Sequence, residues 1–118
     1  IGLGVGSRKH ADRQAAFDSL RSAGFLGLCL TETKVGHLLR AREYCERGVK
    51  HAPADPIGEF LLANVNRDLF NQRQQCGDLA AARQHYSKML SLNDQIDEAK
   101  NARSYLTQID AVYAVAGC

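Results

Sequence analysis

Proline is almost missing from this chain: of 118 residues only Pro53 and Pro56 are proline, both in the segment 51–56, HAPADP. Proline breaks a helix interior, so that segment reads as a loop and the chain on either side is free to be helical. No apolar run approaches the roughly 18 residues needed to span a bilayer, and the stretch 23–30 is short and holds two glycines, so no membrane insertion is expected. An excess of one charge is lacking too. Fifteen basic and thirteen acidic residues leave a net +2 with the signs interspersed, which gives no electrostatic case for nucleic acid. Cys29, Cys45, Cys76 and Cys118 form no CxxC and no zinc-ligand spacing. Gly2, Gly4 and Gly6 are not a phosphate loop, because no strand precedes them and no Lys-Ser/Thr follows in register. His10, His37, His51 and His85 are scattered, and a Cys45–His85 pair would need its cysteine outside the core. No catalytic role, cofactor or metal is therefore expected.

What the chain does have is internal repetition. Shifted by 41 residues, Gly36 falls on Gly77, Leu38 on Leu79, Ala41-Arg42 on Ala82-Arg83, Cys45 on Tyr86 and Val49 on Leu90. Leu20 and Leu28 fall on Leu61 and Leu69 by the same shift. A period of roughly 20–50 residues marks stacked supersecondary units, none able to bury its apolar face alone. The length suits one domain, expected over 11–118 with units at about 16–56 and 57–97 and a final helix at about 96–116. Residues 1–10, IGLGVGSRKH, lack periodicity and read as an N-terminal tail or part of a preceding element. The chain opens on Ile1 rather than Met, as expected of a piece of something longer.

The second unit reads FLLANVNRDLFNQRQQCGDLAAARQHYSKMLSLND over 60–94. Leu69 and Phe70 lie in a first helix, Gly77-Asp78-Leu79 at a turn, and Ala82, Tyr86, Met89, Leu90 and Leu92 in a second. This resembles a tetratricopeptide repeat (TPR), with its Gly-Asp-like turn and its small-then-aromatic stripe. The first unit matches less fully, with Cys45 where the family has an aromatic and Gly48 where it has a small core residue. The likeness covers about residues 16 to 96. It departs in period, since the family's unit is about 34 residues, and HEAT-like repeats with a similar period are the rival. The resemblance implies an all-α fold of about five helices, an α-solenoid of antiparallel helical hairpins whose first helices line a concave groove for a peptide or protein segment. The family's carboxylate clamp is not implied, because Arg67 and Asn71 match it only in part.

Asp55-Pro56 is an N-cap followed by proline at the first helical position, and Ile57, Leu61, Val65 and Leu69 then form a core stripe. By the 41-residue shift the first unit has helices near 16–35 and 37–51, with Gly24 and Gly27 marking a kink or a close helix crossing. Ile96, Ala99, Ala102, Leu106, Ile109 and Tyr113 step by threes and fours along a last helix. Cys29 and Cys45 fall on core positions as small hydrophobes, with a disulfide between them the alternative, implying an oxidising compartment. Cys76 and Cys118 are expected as exposed thiols, and a cytoplasmic setting is slightly favoured.

Function is expected off the core stripe. Asn64, Arg67, Asn71, Gln74 and Gln75 step along the other side of the second unit's first helix. Amides both donate and accept, so such a row suits an extended peptide backbone, and Arg67 adds a fork for a carboxylate. Tyr105, Gln108 and Val112 are the corresponding residues of the last helix, and Ala23, Leu26, Leu30 and Lys34 those of the first. The expected function is a non-catalytic adaptor that binds a protein segment. The alternatives are a regulatory or localising domain of a larger protein, and a homo-oligomer formed through terminal helices.

Overall fold

The computed structural model describes residues 2–118, with side chains from Lys9 onward; Ile1 lies outside the described residues. Among the described residues the fold is all-α and has five helices: α1 (Gly2–Lys34), α2 (Leu38–His51), α3 (Pro56–Arg73), α4 (Cys76–Leu92) and α5 (Asp97–Ala116). α1 and α2 form one antiparallel hairpin and α3 and α4 a second; α2 packs against α3, and α5 against α4. Among the described residues no helix is long and apolar enough to cross a membrane.

The expected tail is not separate. From Gly2 the helix runs without a break to Lys34, because extending an existing helix adds a hydrogen bond per residue and glycine weakens it without interrupting it. α1 therefore has 33 residues against 14 in α2. The end of α2 reaches back only to Asp18, where His51 Nδ1 lies 3.3 Å from Asp18 Oδ1. Gly24 and Gly27 mark no crossing within the chain, since a Cβ at either would meet nothing within 4 Å. The tight approach is at Gly48 instead. A Cβ there would lie 2.8 Å from Leu26 Cδ2, and Ser22 Oγ donates to the Gly48 carbonyl at 2.8 Å.

α3 starts where Asp55-Pro56 predicts: Asp55 Oδ1 accepts from the Ile57 amide at 3.0 Å. Its buried surface is broader than one stripe. Leu62, Val65 and Leu69 join Leu26, Cys29, Ala41 and Cys45 in one core, while Ala63 and Phe70 join Leu79, Ala82, Tyr86, Met89, Ala99, Ala102 and Ile109 in another. Ile57 and Leu61 are only half-buried. A helix flanked by α2 and α4 must be apolar on two sides, so α3 binds the two cores together.

All four cysteines are in disulfides, which corrects the free-thiol expectation. Cys29 and Cys45 are buried and joined across the first hairpin with Cα atoms 5.2 Å apart. Cys76 and Cys118 are exposed as expected, yet also joined, with Cα atoms 5.6 Å apart. Antiparallel packing is the reason: it brings facing positions of α1 and α2, and the end of α5 with the start of α4, into bridging range.

The second hairpin turns earlier than its Gly-Asp pair suggests. Gln74 takes the left-handed conformation at φ 55°, with its Nε2 donating to the Phe70 carbonyl at 3.1 Å, and Gly77 and Asp78 belong to the first turn of α4. Asp78, almost fully buried, accepts from Arg73 Nε and Nη2 at 2.6 and 2.9 Å and from Arg42 Nη1 at 3.0 Å. It thus ties α2, α3 and α4 together. The Arg73 hydrogen bonds, with the charges of Arg73 and Arg42, hold its carboxyl below the ordinary range against the opposing effect of burial.

Candidate functional site

Four of the residues expected to bind a partner come together. Arg67 and Asn71 of α3 and Tyr105 and Gln108 of α5 line a cleft of about 160 Å³ whose remaining walls are Phe70, Leu79, Ile109 and Val112. Helical spacing explains the grouping. Residues 67 and 71 are one turn apart on α3, while 105, 108, 109 and 112 occupy successive turns of α5.

Arg67 is the centre of the cleft. Its guanidinium carbon stands 3.8 Å from the centroid of the Tyr105 ring, a cation–π contact. Its Nη2 lies 3.9 Å from Asp68 Oδ1, and its buried Nη1 has no hydrogen-bond partner in the protein. Asp68 is half-buried, and this burial raises its carboxyl pKa while the charge of Arg67 opposes the rise. Behind Tyr105 stands Tyr86, with ring centroids 5.4 Å apart. Burial pushes the Tyr86 phenol well above its ordinary pKa, so it stays protonated and donates a hydrogen bond.

The acceptor of that bond is Asn64 Oδ1, which removes Asn64 from the expected row of free amides. Asn64 supports the aromatic stack and does not line the cleft. Gln74 and Gln75 also leave the row, because both sit where α3 passes into α4. Gln74 caps Phe70, as described, and Gln75 Nε2 reaches the Arg73 carbonyl at 3.5 Å. Gln74 does line a neighbouring apolar cleft of about 350 Å³ with Ala111, Val112, Val115 and Ala116. The two clefts share Val112. On α1, Leu26 is buried in the core and is corrected from the groove to the interior, while Ala23, Leu30 and Lys34 are exposed.

Sequence reasoning missed the apolar floor formed by Phe70 and Leu79. Ile109 was read only as core. It also missed a buried carboxylate: Glu59 is fully buried between His85 Nδ1 at 2.6 Å from Oε2 and Lys88 Nζ at 3.3 Å from Oε1. A signal existed for that cluster, since Glu59 falls among apolar positions of α3 and His85 and Lys88 lie one turn apart on α4. Among the described residues no group of three or more His, Cys, Asp or Glu is placed to hold a metal ion. The cleft offers a cation, two amide side chains and an apolar floor, a set suited to recognising a polar chain with apolar substituents. No protein-family model and no curated protein sequence matches the chain.

Proposed function

We propose that the chain is a non-catalytic protein–protein interaction module, TPR-like in architecture, that binds an extended segment of another protein across the α3–α5 cleft. One observation carries the reading: Arg67, Asn71, Tyr105 and Gln108 converge on a single cleft in which the Arg67 guanidinium is held over Tyr105 and the Arg67 side chain stays about 25 % exposed. An acceptor on the incoming segment, a backbone carbonyl or a carboxylate, would pair with the accessible part of that guanidinium. Asn71 and Gln108 would take the segment's amides, and Val112 leads its side chains toward the neighbouring apolar cleft. The two disulfides favour an oxidising compartment over a cytoplasmic one.

The test is selection from a random peptide library displayed on phage, with the wild-type chain and an Arg67→Ala/Asn71→Ala/Gln108→Ala variant as bait. Asn71 and Gln108 are exposed and their substitutions cost within about 0.5 kcal/mol, while Arg67 also gives up its contact with Tyr105, worth about 0.5–2 kcal/mol. The variant should therefore keep its helical content with a modestly lower melting temperature. Each lost hydrogen bond to a charged group costs about 1.5–3 kcal/mol, so the selected peptides should bind the variant orders of magnitude more weakly. Equal binding by the two baits would move the site elsewhere.

A further inference from the structure

We propose that the outward face of α1 is a self-association surface on which two copies of this chain pair through antiparallel α1 helices. This inference does not depend on the α3–α5 cleft. Ser22, Leu26 and Cys29 turn α1 toward α2, and all three are buried. On the opposite side Phe17, Leu20, Gly24, Leu28 and Val35 recur at multiples of the helical turn. Phe17 is 55 % exposed, Leu20 69 %, Leu28 45 % and Val35 61 %. They form one apolar line about 27 Å long at 1.5 Å per residue.

Glycine is the poorest helix former after proline, yet nothing lies within 4 Å of where a Cβ at Gly24 would stand. No contact among the described residues accounts for it. Around Gly24 the surface dips into a notch of about 270 Å³ lined by Arg21, Gly24, Phe25 and Leu28. These four stand at i, i+3, i+4 and i+7, the set that forms a hole for a knob from a neighbouring helix.

A second copy supplies the knob. With a two-fold axis near residue 26, Leu28 of each chain enters the notch at the other's Gly24, because the two positions lie equally far from the axis on either side. The same operation sets Phe17 against Val35 of the second copy. It leaves Arg21, which pairs with Asp18 at 3.7 Å and lies over the Phe17 ring, at the rim, while Glu32 stays engaged by His37 and Arg40 of its own chain. Knob and hole lie on one stripe in reciprocal places, as an isologous interface requires. A helix pair in contact over that length buries on the order of 1,000 Å², the lower limit for a specific interface, so the dimer is weak.

Sedimentation equilibrium of the full oxidised chain tests the proposal. Wild type should show a concentration-dependent dimer. Gly24→Leu fills the notch without a clash inside the chain, so it should preserve or raise the melting temperature while weakening the dimer at least tenfold. Gly77→Leu, on α4 and equally free of contacts, should leave the dimer unchanged. If Gly24→Leu does not fold, Leu28→Gln decides by the same loss. A chain that stays monomeric at about 1 mM overturns the proposal and assigns the face to another partner. So does a dimer that ignores the substitution that folds.

Discussion

The two hairpins solve the same packing problem in different ways. At the positions where the first carries Cys29 and Cys45, the 41-residue shift puts Phe70 and Tyr86 in the second. One hairpin is closed by a covalent bond between small side chains, the other by aromatic rings in a larger core. The neighbouring positions follow suit. Ser22 and Gly48, which touch through a hydrogen bond, correspond to Ala63 and Met89, which are buried among apolar side chains. A helix pair lacking bulky residues buries less apolar surface. A disulfide restores stability by constraining the unfolded chain.

The largest expected effect is in the second hairpin. Tyr86→Ala removes a fully buried ring and the donor to Asn64, and should cost about 3–5 kcal/mol in urea unfolding. A loss below about 1 kcal/mol would mean that the Tyr86 ring is not what holds this hairpin. Next comes the first hairpin: Cys29→Ala together with Cys45→Ala opens a loop of about 15 residues and should cost about 3 kcal/mol. Amide hydrogen exchange should then accelerate in α1 and α2 well before α4. Uniform acceleration would show that the hairpins do not differ as described.

Asp78 joins the hairpins, and Asp78→Asn should cost about 1–3 kcal/mol because two guanidinium groups lose their acceptor charge. The sign of its pH dependence follows from its lowered pKa. Its contribution is fully present above the unfolded value of about 4 and is lost as pH falls through the lower folded value. Acid titration of stability should therefore be shallower in Asp78→Asn below about pH 4, and parallel curves would count against the ion cluster. The smallest effect is a control on the exposed side of α4, where Gln84→Trp should shift stability by no more than about 0.5 kcal/mol.

Much of the fold was legible. Asp55-Pro56 marked the start of α3 because an N-cap and an N1 proline act locally, and the stepping of Ile96, Ala99, Ala102 and Ile109 marked α5 because amphipathic spacing is a property of the helix itself. The candidate cleft was legible in part. Arg67, Asn71, Tyr105 and Gln108 were found as polar or aromatic residues off the core stripes, whereas Asn64, Gln74 and Gln75 share that pattern and are engaged in support and capping. Nothing in their spacing separates the two groups, since the difference is a neighbour supplied by another helix or by the turn.

By itself the sequence determined the all-α class, the near-repeat of 41 residues and most helix boundaries, because propensity, capping and periodicity are encoded within a few residues of where they act. Only the tertiary structure decided that all four cysteines pair, that Glu59 is buried against His85 and Lys88 and Asp78 against Arg42 and Arg73, and that α3 is apolar on two sides. Each of these depends on how far apart two distant segments come to lie. That distance is set by antiparallel packing of whole helices, which no local pattern records.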